Sequence, residues 1–155
     1  MERLYRAGAH VLYLDECTFK ARGYQQYAWS RPCENIEVFD RTKAQPCIAV
    51  IAAVCTCHGV WAWAMRPYSY NKEAYVDFLH QCKERWDQEY GEGGSEKMVI
   101  FLDNLQVHRS RVAQRAYRKL RIRPIFNVGY SPEYNDGIER FWGQVKTVFR
   151  PRLLQ

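Results

Sequence analysis

Three carboxylates in this 155-residue chain have the settings that phosphoryl-transfer chemistry requires. Asp15 ends the run VLYLD, Asp103 ends VIFLD, and Glu139 lies inside SPEYNDGIERFW. Apolar, β-leaning runs of this kind read as buried strands that deliver an acid to their tips. Glu139 opens an amphipathic segment, which predicts the first turn of a helix. Acids converging from two strand ends and one helix can hold two divalent cations, which serve the attacking and leaving oxygens of phosphodiester cleavage. Three close carboxylates repel one another, and a pair of cations relieves that repulsion. Hard oxygen donors select Mg²⁺ or Mn²⁺ over zinc. Each acid also has a plainer role open to it. Asp103-Asn104 suits a turn or cap, Asp136-x-x-Glu139 has the spacing of a capping box, and Asp15-Glu16 fits a solvent-facing strand-end pair. Taken jointly, the three settings frame a metal-dependent DNA-cutting domain.

The elements that must position these acids follow from hydrophobic period and turn chemistry. AHVLYLD (9–15) predicts a first strand, followed by an irregular stretch to about Gln45. CIAVIAAVCTC (47–57) predicts a long apolar strand, His58-Gly59 a turn, and VWAWAM (60–65) the returning arm of a hairpin, with Trp61 and Trp63 on one face. Asn71 is placed to cap a helix to about Tyr90 whose buried face is Tyr75, Phe78, Leu79, Cys82 and Trp86. GEGGSEK (91–97) reads as a loop and MVIFLD (98–103) as a buried strand. A basic helix from about Ser110 to Leu120, a strand over 122–128 and a helix over 137–149 complete the chain. Three strands, then helix–strand–helix–strand–helix, is the order of a ribonuclease H-like α/β domain with a mixed sheet flanked by helices.

Length and charge fit one compact domain with an uneven surface. Residues 1–90 hold 11 basic and 11 acidic residues, whereas residues 91–155 hold 12 against 6 and so supply the whole net charge of +6. A basic half in a balanced protein points to a polyanion partner. The six cysteines (Cys17, Cys33, Cys47, Cys55, Cys57, Cys82) accompany an N-terminus without the apolar core of a signal peptide, and no apolar run reaches transmembrane length. They read as reduced thiols of an intracellular protein, in the nucleus of a eukaryote or the nucleoid and cytoplasm of a bacterium. Cys55-Thr-Cys57-His58 lacks a partner pair at metal-ligand spacing, which argues against a tetrahedral zinc site.

Residues 109–123 (RSRVAQRAYRKLRIR) carry seven basic residues and no acid. Val112, Ala116 and Leu120 repeat at i, i+4, i+8 and are expected to face the core. Arg109, Arg111, Arg115, Arg118 and Lys119 would then face outward, either as a solvated face or as a track for a DNA backbone. Arg140 and Lys146 extend that track along the Glu139 helix. His108, five residues past Asp103 at the entrance of the next helix, is expected either beside the scissile phosphate or hydrogen-bonded to an active-site acid, or else packed on a loop as a helix-start histidine. Asn104 either orients Asp103 or makes a turn. Trp142, one turn after Glu139, is placed to anchor its helix, and Trp29 falls in the irregular stretch.

LDECTF around Asp15, FLDNLQVHRS around Asp103 and GYSPEYNDGIERFWGQVK around Glu139 resemble the mariner-type DDE transposases and their bacterial insertion-sequence relatives. The resemblance covers roughly residues 9–149. It implies a ribonuclease H-like catalytic domain in which Asp15, Asp103 and Glu139 bind two Mg²⁺ or Mn²⁺ ions. These cut double-stranded DNA at transposon ends and join it to a target, in a DNA complex that is a homodimer. After Ser-Pro-Glu the family continues Leu-Asn-Pro-Ile-Glu, whereas this chain reads Tyr134-Asn135-Asp136-Gly137-Ile138-Glu139, which leaves Glu133 and Asp136 as neighbouring acids. The family's N-terminal helix-turn-helix region has no room here, so a catalytic domain alone is expected. The alternatives are a non-catalytic descendant kept as a DNA-binding or assembly module, and a nuclease acting on RNA–DNA hybrids. The Ser-Pro-Glu and Ile-Glu-Arg-Phe-Trp context weighs against the second.

Overall fold

The computed structural model describes residues 6, 8–20, 47–92, 97–127 and 136–153, with backbone alone at 136 and 149–153. Trp29, Cys33, Glu133 and nearly all of the irregular stretch to Gln45 lie outside the described residues. The elements come in the expected order: β1 (His10–Lys20), β2 (Cys47–Cys55), β3 (Gly59–Pro67), α1 (Lys72–Tyr90), β4 (Met98–Leu102), α2 (Arg111–Leu120), β5 (Arg123–Phe126) and α3 (Asp136–Leu153). The sheet runs β3-β2-β1-β4-β5, antiparallel among the first three strands and parallel across β1, β4 and β5.

Strand alternation divides the core in two. Leu12, Leu14, Ile51, Ala53, Ile100 and Leu102 face α1 and α2, where Tyr75, Phe78, Leu79, Cys82, Trp86, Ala113, Ala116, Tyr117 and Leu120 meet them. On the opposite face Ile138 and Trp142 of α3 cover Cys17, Ala52 and Val54. The five residues expected on the buried face of α1 are all there, and Asn71 caps the helix by accepting from the Ala74 N–H at 2.9 Å.

Three expectations need correction. β1 does not end at Asp15 but continues to Lys20, because the alternation of Cys17 and Phe19 persists and the long β2 partners it throughout. Trp61 and Trp63 do not share a face. The β2–β3 pairing shifts by one residue between Ala53 and Val54, a bulge that turns Trp61 into the core and leaves Trp63 53% exposed. In α2 the buried stripe is Ala113, Ala116, Tyr117 and Leu120, and Val112 is exposed. Tyr117 selects this stripe, since its hydroxyl meets that of Tyr75 at 2.7 Å and donates to the His108 carbonyl at 3.3 Å.

β3 forms one edge of the sheet, and α1 reaches over it. Arg85 donates to the carbonyls of Val60 and Trp61 and lies over the Trp61 ring, while Gln81 donates to the Trp63 carbonyl at 3.3 Å.

Candidate active site

Asp15 and Asp103 are brought together by the parallel pairing of β1 with β4. The register pairs Tyr13 with Phe101, and two residues further it sets Asp15 level with Asp103. β4 stops at Leu102, so Asp103 sits just beyond the strand while Asp15 remains paired to Ala52 of β2. Asp15 alternates onto the side of the sheet that α3 covers and is partly buried. Burial pushes its carboxyl above the usual carboxylate range. The Glu16 backbone N–H opposes that rise, and the charges of Asp103 and Glu16 add to it.

Asp103 is held differently. Its Oδ1 accepts from His108 Nδ1 at 2.9 Å and from the Leu105 N–H at 3.1 Å. Burial alone would raise this carboxyl, but the hydrogen bonds from His108 and Leu105, with the His108 charge, outweigh it and hold it low. His108 is 1% exposed, with its ring 4.6 Å from that of Tyr75. Its second nitrogen, Nε2, lies 3.2 Å from Glu16 Oε1. Burial disfavours the cation, yet the hydrogen bonds to Asp103 and Glu16 overcome it and the ring is pushed up to about 9. An imidazolium donating from both nitrogens to two carboxylates satisfies this geometry.

His108 therefore makes the hydrogen bond to Asp103 that its spacing allowed. Glu16 was not singled out in the sequence as a member of the site. The signal was available, because successive strand residues face opposite sides of a sheet, so Asp15 and Glu16 had to serve different neighbours. The Asn104 side chain makes its hydrogen bonds elsewhere than to the Asp103 carboxylate. Its amide donates to the Asn127 carbonyl and its oxygen accepts from Arg109, which ties the loop after β4 to the end of β5.

Glu139 is exposed in the first turns of α3, between the buried Ile138 and Trp142. Among the described residues no three His, Cys, Asp or Glu side chains stand close enough to hold one metal ion, so Glu139 does not join Asp15 and Asp103 in a single cluster. The side chain of Asp136 lies outside the described residues. Trp142, one turn beyond Glu139, places its buried indole N–H where it favours the charged form of Asp15, although it makes no hydrogen bond at normal distance. A partly buried carboxylate, raised first by burial and then by the charge of a second acid beside it, suits a divalent cation held between Asp15 and Asp103, which would relieve that repulsion.

Arg111, Arg115, Arg118 and Lys119 are all exposed on α2, whose first turn follows the Asp103 loop. Arg109 is exposed but committed to Asn104 and to the face of Phe126, 4.8 Å away. Lys146 is half-buried beside Cys17, against the sheet, and Arg140 is exposed on α3.

The sequence profile of the family described as DDE superfamily endonuclease matches residues 10–155. No curated protein sequence matches the chain. Among solved structures, the Mos1 Strand Transfer Complex superposes with a TM-score of 0.66 at 12% identity, over 95% of this chain and 44% of that one. A pre-cleavage Mos1 transpososome gives 0.62 at 14% identity, over 85% and 42%. The Mos1 mariner paired end complex with Mn gives 0.59 at 15% identity, over 85% and 41%. The chain thus spans less than half the length of each of these proteins. At such identities the likeness is one of fold, and that fold is the ribonuclease H-like mixed sheet flanked by helices.

Proposed function

This chain belongs to the DDE superfamily endonuclease family, and from that premise we propose that it is the catalytic domain of a mariner-type transposase. In this reading it hydrolyses phosphodiester bonds at transposon ends and joins the freed 3′-hydroxyl to target DNA, within a homodimeric complex. The observation that carries the proposal is the closeness of Asp15, within β1, to Asp103, just past the end of the neighbouring parallel strand β4, with Asp103 held by a buried histidine.

Asp15 and Asp103 would hold divalent cations, Mg²⁺ or Mn²⁺, with Glu139 closing from α3 as the third ligand. Cations held there would supply Lewis-acid chemistry, activating the attacking water or 3′-hydroxyl and stabilising the leaving oxygen. The protein's own contribution is positioning. His108 and the Leu105 N–H occupy Asp103 Oδ1, so its carboxylate cannot rotate freely and stays ionised. Ile138 and Trp142 pin α3 to the Asp15 side of the sheet and carry Glu139 with them. The exposed arginines of α2 would grip the DNA backbone next to the acids and fix the duplex without reading its sequence. Reading of transposon ends is assigned to protein beyond this fold.

A metal-dependent nicking assay on duplex DNA, with Asp103→Asn as the control, tests the proposal. Cutting that requires both Mn²⁺ and Asp103 supports it. A chain that binds DNA but never cuts, with or without the acid, is instead a DNA-binding or assembly module on the same fold.

A further inference from the structure

Glu16 stands beside Asp15 in the chain but serves the other face of the sheet. Asp15 looks toward α3, whereas Glu16 looks toward α1 and α2, where Oε1 lies 3.2 Å from His108 Nε2. The Glu16 carboxylate is 20% exposed, and His108 is almost wholly enclosed. The imidazole ring is fixed on every side: Nδ1 to Asp103 Oδ1 at 2.9 Å, Nε2 to Glu16, and its face against Tyr75. The backbone carbonyl of His108 accepts from Tyr117, whose hydroxyl is in turn joined to that of Tyr75. The ring cannot turn without breaking a buried polar contact. Asp103 Oδ1 is consequently filled by two donors, while its Oδ2 accepts no hydrogen bond among the described residues.

We infer that Glu16 is a positioning residue for the metal-binding carboxylate Asp103. It fixes His108, and through His108 it holds Asp103 in the one orientation that keeps Oδ1 occupied and Oδ2 open to a cation. The inference rests on the function proposed above. It links the two strands that carry the acids by a second path, under the sheet, in addition to their backbone ladder. Partners of this kind, one hydrogen bond removed from the metal, typically change metal affinity or activity by about 10–100-fold when lost.

A salt bridge that merely neutralises a buried histidine would affect folding alone, so the test reads metal binding and the separate kinetic constants. Mn²⁺ affinity is measured by calorimetry on the intact chain. kcat and KM for DNA cutting are then determined for Glu16→Ala, Glu16→Gln, His108→Asn and the double variant Glu16→Ala/His108→Asn, each checked for folding by circular dichroism. Glu16→Ala should weaken Mn²⁺ binding and lower kcat by about tenfold or more, with KM for DNA unchanged. Glu16→Gln, which still offers an acceptor to Nε2, should recover most of the loss. In the His108→Asn background the Glu16→Ala change should add little, since both act on one path. Wild-type Mn²⁺ affinity and kcat in a folded Glu16→Ala or Glu16→Gln protein would overturn the inference. A loss as complete as that of Asp103→Asn would make Glu16 a ligand and overturn it equally. If Glu16→Ala does not fold, additive losses for Glu16→Gln and His108→Asn in combination would count against it. A wild-type chain that neither binds Mn²⁺ nor cuts DNA would sink the proposed function first, and that result is distinct from an active wild type indifferent to Glu16.

Discussion

His108 donates through Nδ1 to Asp103 Oδ1 across 2.9 Å, and each group holds the other in its charged form. The histidine is pushed up to about 9 and the aspartate is held below its usual range, so both ionised forms coexist through neutrality. Glu16 completes the arrangement on the far nitrogen.

Stability should therefore fall on both sides of neutral pH. The raised His108 contributes stability that is fully present below about 6.5, its unfolded value, and lost as pH rises through about 9. The depressed Asp103 contributes stability present above its unfolded value, near 3.8, and lost as pH falls further toward its folded value. Denaturant unfolding at a series of pH values should show an alkaline loss on the order of 1–3 kcal/mol. In His108→Asn that alkaline step should disappear. A step of equal size in the variant would assign it to another group.

Asp15 carries the opposite sign. Its carboxyl is raised by burial and by Asp103, so its ionised form opposes folding in the absence of metal. Asp15→Asn should leave the metal-free protein at least as stable as wild type, while abolishing metal-dependent cutting. Thermal melts and nicking assays on the same preparation check both halves. A strongly destabilised Asp15→Asn protein would contradict the charge relationship.

Metal should stabilise the wild-type fold by mass action. At a hundredfold excess over Kd, Mn²⁺ should add about 2.7 kcal/mol to the unfolding free energy. Asp15→Asn and Asp103→Asn should each lose that gain. Equal stabilisation of wild type and both variants would place the bound ion elsewhere.

The exposed arginines of α2 should act on DNA without regard to sequence. Replacing Arg111, Arg115 and Arg118 with Ala should weaken binding to any duplex and flatten the log–log salt dependence by about 2–3 units, at roughly 0.9 per phosphate contact. All three are exposed, so the melting temperature should barely move. Unchanged affinity at low salt would mean that the helix is only a solvated face.

Most of the element order and the whole buried face of α1 were legible in the sequence, because a 3.6-residue period bounded by an Asn cap and a glycine leaves little choice. What escaped was set by contacts between elements. The bulge opposite Ala53 and Val54 decides which of Trp61 and Trp63 is buried, and no alternation pattern in VWAWAM announces it. Val112 lost its place in the core to Tyr117 through a hydroxyl pair with Tyr75, 42 residues away in the chain. At the site, the approach of Asp15 to Asp103 followed from their apolar strand runs, although β1 runs on past Asp15, and the reach of His108 to Asp103 followed from spacing. The contact between Glu16 and His108 spans 92 positions and depends on which side of the sheet each strand residue faces. The distance of Glu139 from the two aspartates depends on how α3 lies across the sheet, which spacing alone does not fix.

The carbonyls of Val60, Trp61 and Trp63 on the outer strand β3 are occupied by Arg85 and Gln81. An outer strand with open acceptors is a template on which another chain can add, the usual start of runaway self-association. Here the template is blocked along Val60, Trp61 and Trp63 by side chains from within the same molecule. A second copy cannot join by extending the sheet through those positions unless α1 first lets go of them. The outer strand is thereby guarded at those three positions against edge-to-edge addition of another chain.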